Sequence, residues 1–362
     1  MNKSIHVALS YFPKITYRRY QQLAARFSLP DEELWQAEFS ELARAGLDEA
    51  IAQEFMSWRD TFDREKMFQE LFRENITTVT ITDHTYPHLL KEINDPPQTL
   101  FVRGRLEALE RPALAIVGTR KCTAYGREAT ETLARDLAHN GLVIVSGLAL
   151  GIDGLAHRAA LQAGGLTVAV LGSGIDRAAV YPAEHRTLSE DIIAHGGAVI
   201  SEYPPGFKPT LYSFPARNRI IAGLALGTLV TEAPESSGAL ITAKAALDYN
   251  REVMAVPHPI TSETGVGGNA LIKQGATVVT SAEDVTEVLQ LKNLKTLVAG
   301  EAVAPANPTE ARLLSLMTRE PRHIDLIIKE SGLASAAVSS SLTLLEMKGR
   351  VKNTGGMLYV RL

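Results

Sequence analysis

One cysteine, Cys122, stands among 362 residues. That excludes an intrachain disulfide framework and a cysteine-built metal site. The histidines show no H-E-x-x-H spacing, so no metal is expected. Excess charge of one sign is also missing: 37 Lys and Arg face 41 Asp and Glu, a formal net charge of -4. A global basic field is therefore excluded, and a nucleic-acid surface has to be a local patch. No apolar run approaches a membrane span, and Met1 to His6 lead into no long hydrophobic region. A cytosolic chain without membrane contact is expected. No G-x-x-x-x-G-K-[ST] run occurs, so a P-loop NTPase has no support.

What remains is ordinary globular composition, 45% hydrophobic, with chain enough for two or three domains. The organising stretch runs from Leu114 to Gly174. Leu114-Ala115-Ile116-Val117 stops at Gly118-Thr119-Arg120. Leu142-Val143-Ile144-Val145 stops at Ser146-Gly147, and Leu166 to Leu171 stops at Gly172-Ser173-Gly174. Unbroken apolar runs of this length suit strands buried on both faces of a parallel sheet. Helical stretches between them, Gly126 to Asn140 and Ile152 to Ala163, complete βαβαβ. The strand carboxyl ends then share an edge where the three turns converge.

Glycine turns and helix N-termini bring main-chain N–H groups and partial positive charge to that edge, which predicts a phosphate site. Arg120 adds a planar cation that matches phosphate oxygens. It also stands where G-x-G-x-x-G would need its second glycine, and no acidic residue ends the second strand. The NAD reading is weak, and no cofactor is expected.

In chain order, residues 4 to 74 read as helices: Tyr17 to Phe27, Asp31 to Ala43 with Asp31 as N-cap, and Leu47 to Phe72. Their expected role is packing or partner contact. Thr77 to Ile81 and Leu100 to Val102 read as lead-in strands around the proline turns Tyr86-Pro87 and Asp95-Pro96-Pro97. Further strands are expected near Gly196 to Ser201, Thr228 to Ala233, Glu252 to Pro257 and Thr277 to Val279, and a short helix over Ala270 to Gln274. Residues 292–308 read as a linker. Beyond it come three short helices, the first capped by Thr309, and a hairpin around Thr354-Gly355-Gly356, the winged helix-turn-helix order. The expected divisions are 1–75 helical, 76–291 sheet domain, 292–308 linker and 309–362 winged helix.

Phe214-Pro215-Ala216-Arg217-Asn218-Arg219, expected to lead into a helix over Ile220 to Leu224, is the most informative polar cluster. Phosphate contact with a base stacked on Phe214 is one reading; an ion-pair network with Glu202 or Glu232 is the other. One arginine facing ligand and one structural would reconcile them. Asp153 and His157 share a helix face; a helix-terminus carboxylate over a packed histidine is preferred to an acid–base pair. Glu232 reads as structural, with ribose contact or assistance in hydrolysis as its functional alternative. Asp176 reads as a turn carboxylate. No catalytic residue is assigned.

These motifs together resemble the DprA/Smf family of bacterial DNA-processing proteins. The resemblance rests on Asp95-Pro96-Pro97, Gly118-Thr119-Arg120, Ser146 to Asp153, Gly172 to Asp176, Tyr181-Pro182, Phe214 to Gly223 and Ser237 to Ala243, in that order. It implies an α/β fold: an extended Rossmann-like parallel sheet domain with an N-terminal helical (SAM-like) domain and a C-terminal winged helix. It implies a non-enzymatic mediator that binds single-stranded DNA and helps load the RecA recombinase during natural transformation, and a homodimer formed through the Rossmann-like domain. The DNA-binding residues carried over are Gly118, Arg120, Ser146, Gly147, Gly172, Gly174, Phe214, Arg217, Asn218, Arg219, Ser237 and Gly238. Two departures bear on loop shape: His185 stands where asparagine is common, and His258 where glycine is usual. Gly227 to Glu232 is also similar to the glycine-and-glutamate site of nucleotide phosphoribohydrolases, which makes such an enzyme the alternative. Arg350, Lys352 and Arg361 raise a weaker expectation that the winged helix reads duplex DNA.

Overall fold

The computed structural model describes residues 3–27, 32–291, 308–317, 321–347 and 351–361. They form two compact units, Met1–Leu291 and Lys292–Leu362. The expected N-cap Asp31, most of the expected linker and Arg350 lie outside the described residues.

The first unit is built on a nine-stranded sheet. Its strands are β1 (Thr77–Thr80), β2 (Thr99–Gly104), β3 (Ala113–Val117), β4 (Val143–Ser146), β5 (Thr167–Leu171), β6 (Ala198–Ser201), β7 (Gly227–Val230), β8 (Glu252–Ala255) and β9 (Thr277–Val278). The spatial order is β1-β2-β6-β5-β4-β3-β7-β8-β9. From β6 to β9 all neighbours are parallel, whereas β1–β2 and β2–β6 are antiparallel. Every residue of β3, β4, β5 and β6 is buried, as their uninterrupted aliphatic runs require. After β6 the chain returns to the open side of β3, so the strand order reverses between β3 and β7. In open α/β sheets ligands bind outside the strand carboxyl ends at such a reversal.

Alternate residues of β3 go to opposite sides of the sheet. Ala113, Ala115 and Val117 share a core with Ile220 and Ile221 of the Ser213–Leu224 helix. The same core runs on into the N-terminal helices through Leu9, Phe12, Leu23 and Phe55. The helix expected over Leu47 to Phe72 is two helices, Glu49–Thr61 and Arg64–Arg73. Phe62 turns extended, and the Asp63 side chain accepts the Lys66 N–H at 3.0 Å, which caps the second helix. The helix expected over Asp31 to Ala43 is likewise two, Glu32–Gln36 and Phe39–Arg44, and other boundaries differ as well. The Phe214 to Arg219 cluster lies within the first turns of its helix, since Pro215 near a helix start forfeits only an N–H that lacks an intrahelical partner there. The helix expected over Ala270 to Gln274 spans Val266–Lys273.

The second unit has helices Pro308–Leu316, Ile324–Ser331 and Ser335–Met347, then a hairpin of Val351–Gly355 and Leu358–Arg361. Thr309, the expected cap, lies inside the first helix. A short strand, Arg322–His323, adds to the hairpin as its third strand. Gly332 ends the middle helix at φ 63, a left-handed position that glycine adopts at little cost. This is the winged helix arrangement. Arg361 Nη1 donates to Leu314 O at 3.1 Å.

Candidate nucleic-acid interface

The turns after β3 and β4 do meet. Thr119 N donates to Glu232 O at 2.7 Å, and Ile152 N donates to Thr119 O at 3.2 Å. Gly151 sits at φ 75, and a Cβ there would stand 2.4 Å from Thr119 O, so only glycine allows this approach. Ser146 is buried and donates its hydroxyl to Ile116 O at 2.6 Å. Leu148 is buried at φ 58, a strained conformation for a side chain of its size. His185 holds it there, its Nδ1 lying 2.8 Å from Leu148 O. The histidine in place of asparagine thus acts as a strut under this loop.

Two of the glycine amides expected at this edge are already engaged within the fold. Gly147 N donates to Asp153 Oδ2 at 3.1 Å, and Gly174 N donates to Phe207 O at 2.8 Å. Gly172 and Gly174 are glycine because neighbours press on them: a Cβ would lie 2.9 Å from Phe214 Cδ1 and 2.8 Å from Pro204 O, respectively. Gly118 is likewise closed in, by Ile152 and Glu232 O.

A cleft of about 40 Å³ is lined by Arg120, Gly147, Leu150, Tyr181, Phe214 and Arg217. Arg120 is exposed, with Cζ 5.6 Å from the centre of the Phe214 ring. No carboxylate among the described residues pairs with it. Tyr181 stands beside Phe214, ring centres 5.5 Å apart at 47°. Tyr181 is 49% exposed. The site therefore offers a free guanidinium and a pair of partly open rings. Tyr181 and the exposed Lys121, next to Arg120, were not singled out as site residues. Tyr181 had a signal in its Tyr-Pro motif; Lys121 had only its adjacency.

The other two arginines have different duties. Arg217 is buried, and its Nη1 donates to Gly147 O at 2.6 Å and to Val170 O. Its Nε donates to Asn218 Oδ1 at 3.2 Å. Burial lowers its pKa to about 10, against the pull of Asp153 and with Arg120 adding to the fall. It ties the β4 turn to the end of β5. Arg219 donates through Nη2 to Glu202 Oε2 at 2.5 Å and pairs through Nε with Asp95 Oδ2 at 3.1 Å. Its position is away from the cleft. Asn218 Nδ2 donates to Gly238 O at 3.2 Å, and Ser237 Oγ accepts the Ala239 N–H at 3.3 Å, so these three shape the turn after β7.

Glu232 is fully buried. Its Oε2 accepts the Thr123 N–H at 2.8 Å and its Oε1 accepts the Thr264 hydroxyl at 2.5 Å. It holds the start of the Ala124–His139 helix against the loop after β8, with Gly126 pressed to its carboxylate. Asp176 accepts N–H groups from Ala179 and Gly206 and is a turn carboxylate. His258 and Asn269 exchange two hydrogen bonds, each 3.0 Å, and the histidine ring meets Tyr125 edge-on.

His157 is buried in the core, its Nδ1 2.6 Å from Thr167 Oγ1. Burial, with His185, Arg158 and Arg217 nearby, lowers its pKa to about 3. A base whose folded pKa is depressed stabilises the fold fully above its unfolded pKa and loses that contribution as pH falls. Unfolding free energy should therefore drop between pH 6.5 and 3 by ~1.4 kcal/mol per unit through this group alone. Urea titrations of the native chain and His157→Gln across that window should differ by this slope. Parallel curves would show that the ring is not held neutral.

Residues 77–290 match the family described as DNA recombination-mediator protein A, and residues 299–357 match the DprA winged helix domain. Protein Smf of Synechocystis sp. is 36% identical over 378 aligned residues, covering 94% of each chain. Protein Smf of Escherichia coli is 38% identical, covering 89% of this chain and 86% of its own. Among solved structures, DNA processing protein A (DprA) from Streptococcus pneumoniae superposes with a TM-score of 0.66 at 38% identity, over 76% of this chain and 93% of that one. DNA processing protein A from Helicobacter pylori, solved to explain its single-stranded DNA binding mode, superposes at 0.53 and 32% identity, over 60% of this chain and 96% of that one.

Proposed function

The chain belongs to the DNA recombination-mediator protein A family, and from that premise we propose that its β3–β4–β5 rim holds single-stranded DNA. The observation that carries the reading is Arg120, exposed, unpaired among the described residues and stacked on Phe214 beside Tyr181. A guanidinium grips phosphate without reading sequence, and aromatic faces stack with any base. The cleft is small, about 40 Å³, which suits passage of a strand along a rim better than enclosure of a metabolite. The relative from Helicobacter pylori was described for binding such strands. The larger role we assign is a cytoplasmic, dimeric mediator that protects incoming strands and passes them to a RecA-type recombinase. The reading is non-enzymatic: both Glu232 oxygens already accept hydrogen bonds, which disfavours the phosphoribohydrolase alternative.

Binding should be indifferent to sequence and sensitive to salt. Log affinity should fall linearly with log salt, with a slope of ~0.7 per phosphate contacted. Fluorescence anisotropy with oligothymidine and a mixed-sequence strand tests both points. A salt-independent affinity, or release of free base from nucleoside monophosphates in a parallel chromatographic assay, would overturn this function.

A further inference from the structure

Leu211 and Tyr212 are each 87% exposed. They directly precede the Ser213–Leu224 helix, and Tyr212 stands two residues before Phe214 of the cleft. A lone exposed apolar side chain is ordinary on a protein surface. This pair is instead presented by a closed turn. Ser213 Oγ accepts the Thr210 N–H at 2.9 Å and donates to Thr210 O at 3.0 Å, and Thr210 Oγ1 accepts the Ser213 N–H at 3.1 Å. The approach to the turn is fastened as well. Phe207 O accepts the Gly174 N–H at 2.8 Å, Asp176 Oδ1 accepts the Gly206 N–H at 2.6 Å, and the Tyr203 and Phe207 rings stack at 4.2 Å and 9°. Backbone tied at so many points holds both side chains out in water, and a ring ordered beforehand loses little freedom on binding.

The charges around this turn point to a polyanion. Its neighbouring carboxylates are already committed: Asp176 to the Ala179 and Gly206 N–H groups, Glu202 and Asp95 to Arg219. Lys208, in the same segment, is exposed and pairs with no carboxylate among the described residues. A free cation near an open aromatic face is the combination that holds single strands without reading sequence. Side chains two apart at a helix start do not face each other, so Tyr212 serves a different base from the one beside Phe214. Leu211 has no flat face and takes no part in stacking.

We propose that Tyr212 is a further base platform for the strand held at Arg120 and Phe214, met as that strand crosses the start of the Ser213–Leu224 helix. The inference rests on the rim reading.

Stacking has its own readout. The chain's two tryptophans, Trp35 and Trp58, lie partly buried in the N-terminal helices. Tyr212→Trp should therefore add an exposed emitter whose fluorescence falls by about half when oligothymidine saturates the protein, while native emission changes little. Tyr212→Ala should weaken oligothymidine binding about ten-fold by anisotropy, and Tyr212→Phe should restore it to within about two-fold of the native chain. Tyr212→Leu should bind as poorly as Tyr212→Ala, since an apolar side chain without a flat face does not stack. Leu211→Ala should bind like the native chain. All should melt where the native chain does, because neither side chain is packed in the core. Native affinity in Tyr212→Ala, or Tyr212→Trp emission indifferent to the strand, would overturn the proposal and leave the turn to a protein partner. Arg120→Ala separates the two readings. If it alone leaves affinity intact, the rim reading fails while Tyr212 still holds the strand. If Tyr212→Ala alone does, the rim stands and the platform is removed.

Discussion

Arg120→Ala is expected to weaken binding of oligothymidine about thirty-fold, a loss of ~2 kcal/mol, while the melting temperature stays where it was. The two halves of that expectation have the same cause. Arg120 is exposed, its one described side-chain contact is the Phe214 face, and no carboxylate among the described residues depends on it. Removing it therefore leaves no charge stranded in the fold. A charge-assisted contact to phosphate, in contrast, disappears outright. The loss should be alike for strands of unrelated sequence, because phosphates carry no sequence information. Arg120→Lys should recover only part of the affinity, since an ammonium neither matches two phosphate oxygens nor stacks on a ring as guanidinium does. An unchanged affinity in an electrophoretic shift or anisotropy assay would remove Arg120 from the site.

Arg217→Ala should act in the opposite manner. The prediction is a destabilisation of about 3–5 kcal/mol, followed by thermal and urea unfolding, with DNA binding lost only as the fold is lost. The guanidinium is buried and donates to two main-chain carbonyls, Gly147 O and Val170 O. It also lies beside Asp153, whose carboxyl is pushed up by burial and drawn back by Arg217. Truncation leaves two acceptors without their donor and a buried carboxyl without its neighbouring positive charge, and an unmade buried bond is worth more than a made one. Arg217→Lys should not rescue, because a single ammonium cannot span both carbonyls in this geometry. A variant that melts like the native chain yet loses DNA would return Arg217 to the ligand side of the site.

The contrast between these arginines marks what could be read from residues alone. The strands were legible because unbroken aliphatic runs ending in glycine have few other uses. The convergence of the turns followed from parallel topology. That Arg217 and Arg219 are both held by the fold was not legible, since their shared six-residue motif does not show that the first bonds to β5 and the second to Glu202. The crowding around Gly172 and Gly174, which yield room to Phe214 and Pro204, was not legible either. The break at Phe62 had a local sign in Asp63, an N-cap residue followed by charged helix formers. Contacts between distant segments had none: Gln98 Nε2 donates to Ile15 O, 83 residues away in the chain.

The reversal of strand order has a further consequence during synthesis. Ala115 of β3 pairs with Thr228 of β7, 113 residues later. At ribosomal rates of about 5–20 residues per second, one side of an aliphatic strand stands unzipped for roughly 6–20 s. Until β7 arrives, that side is open to strands of other nascent chains. Yield of the folded chain should therefore depend on how fast and how crowded translation is, well before any DNA is met.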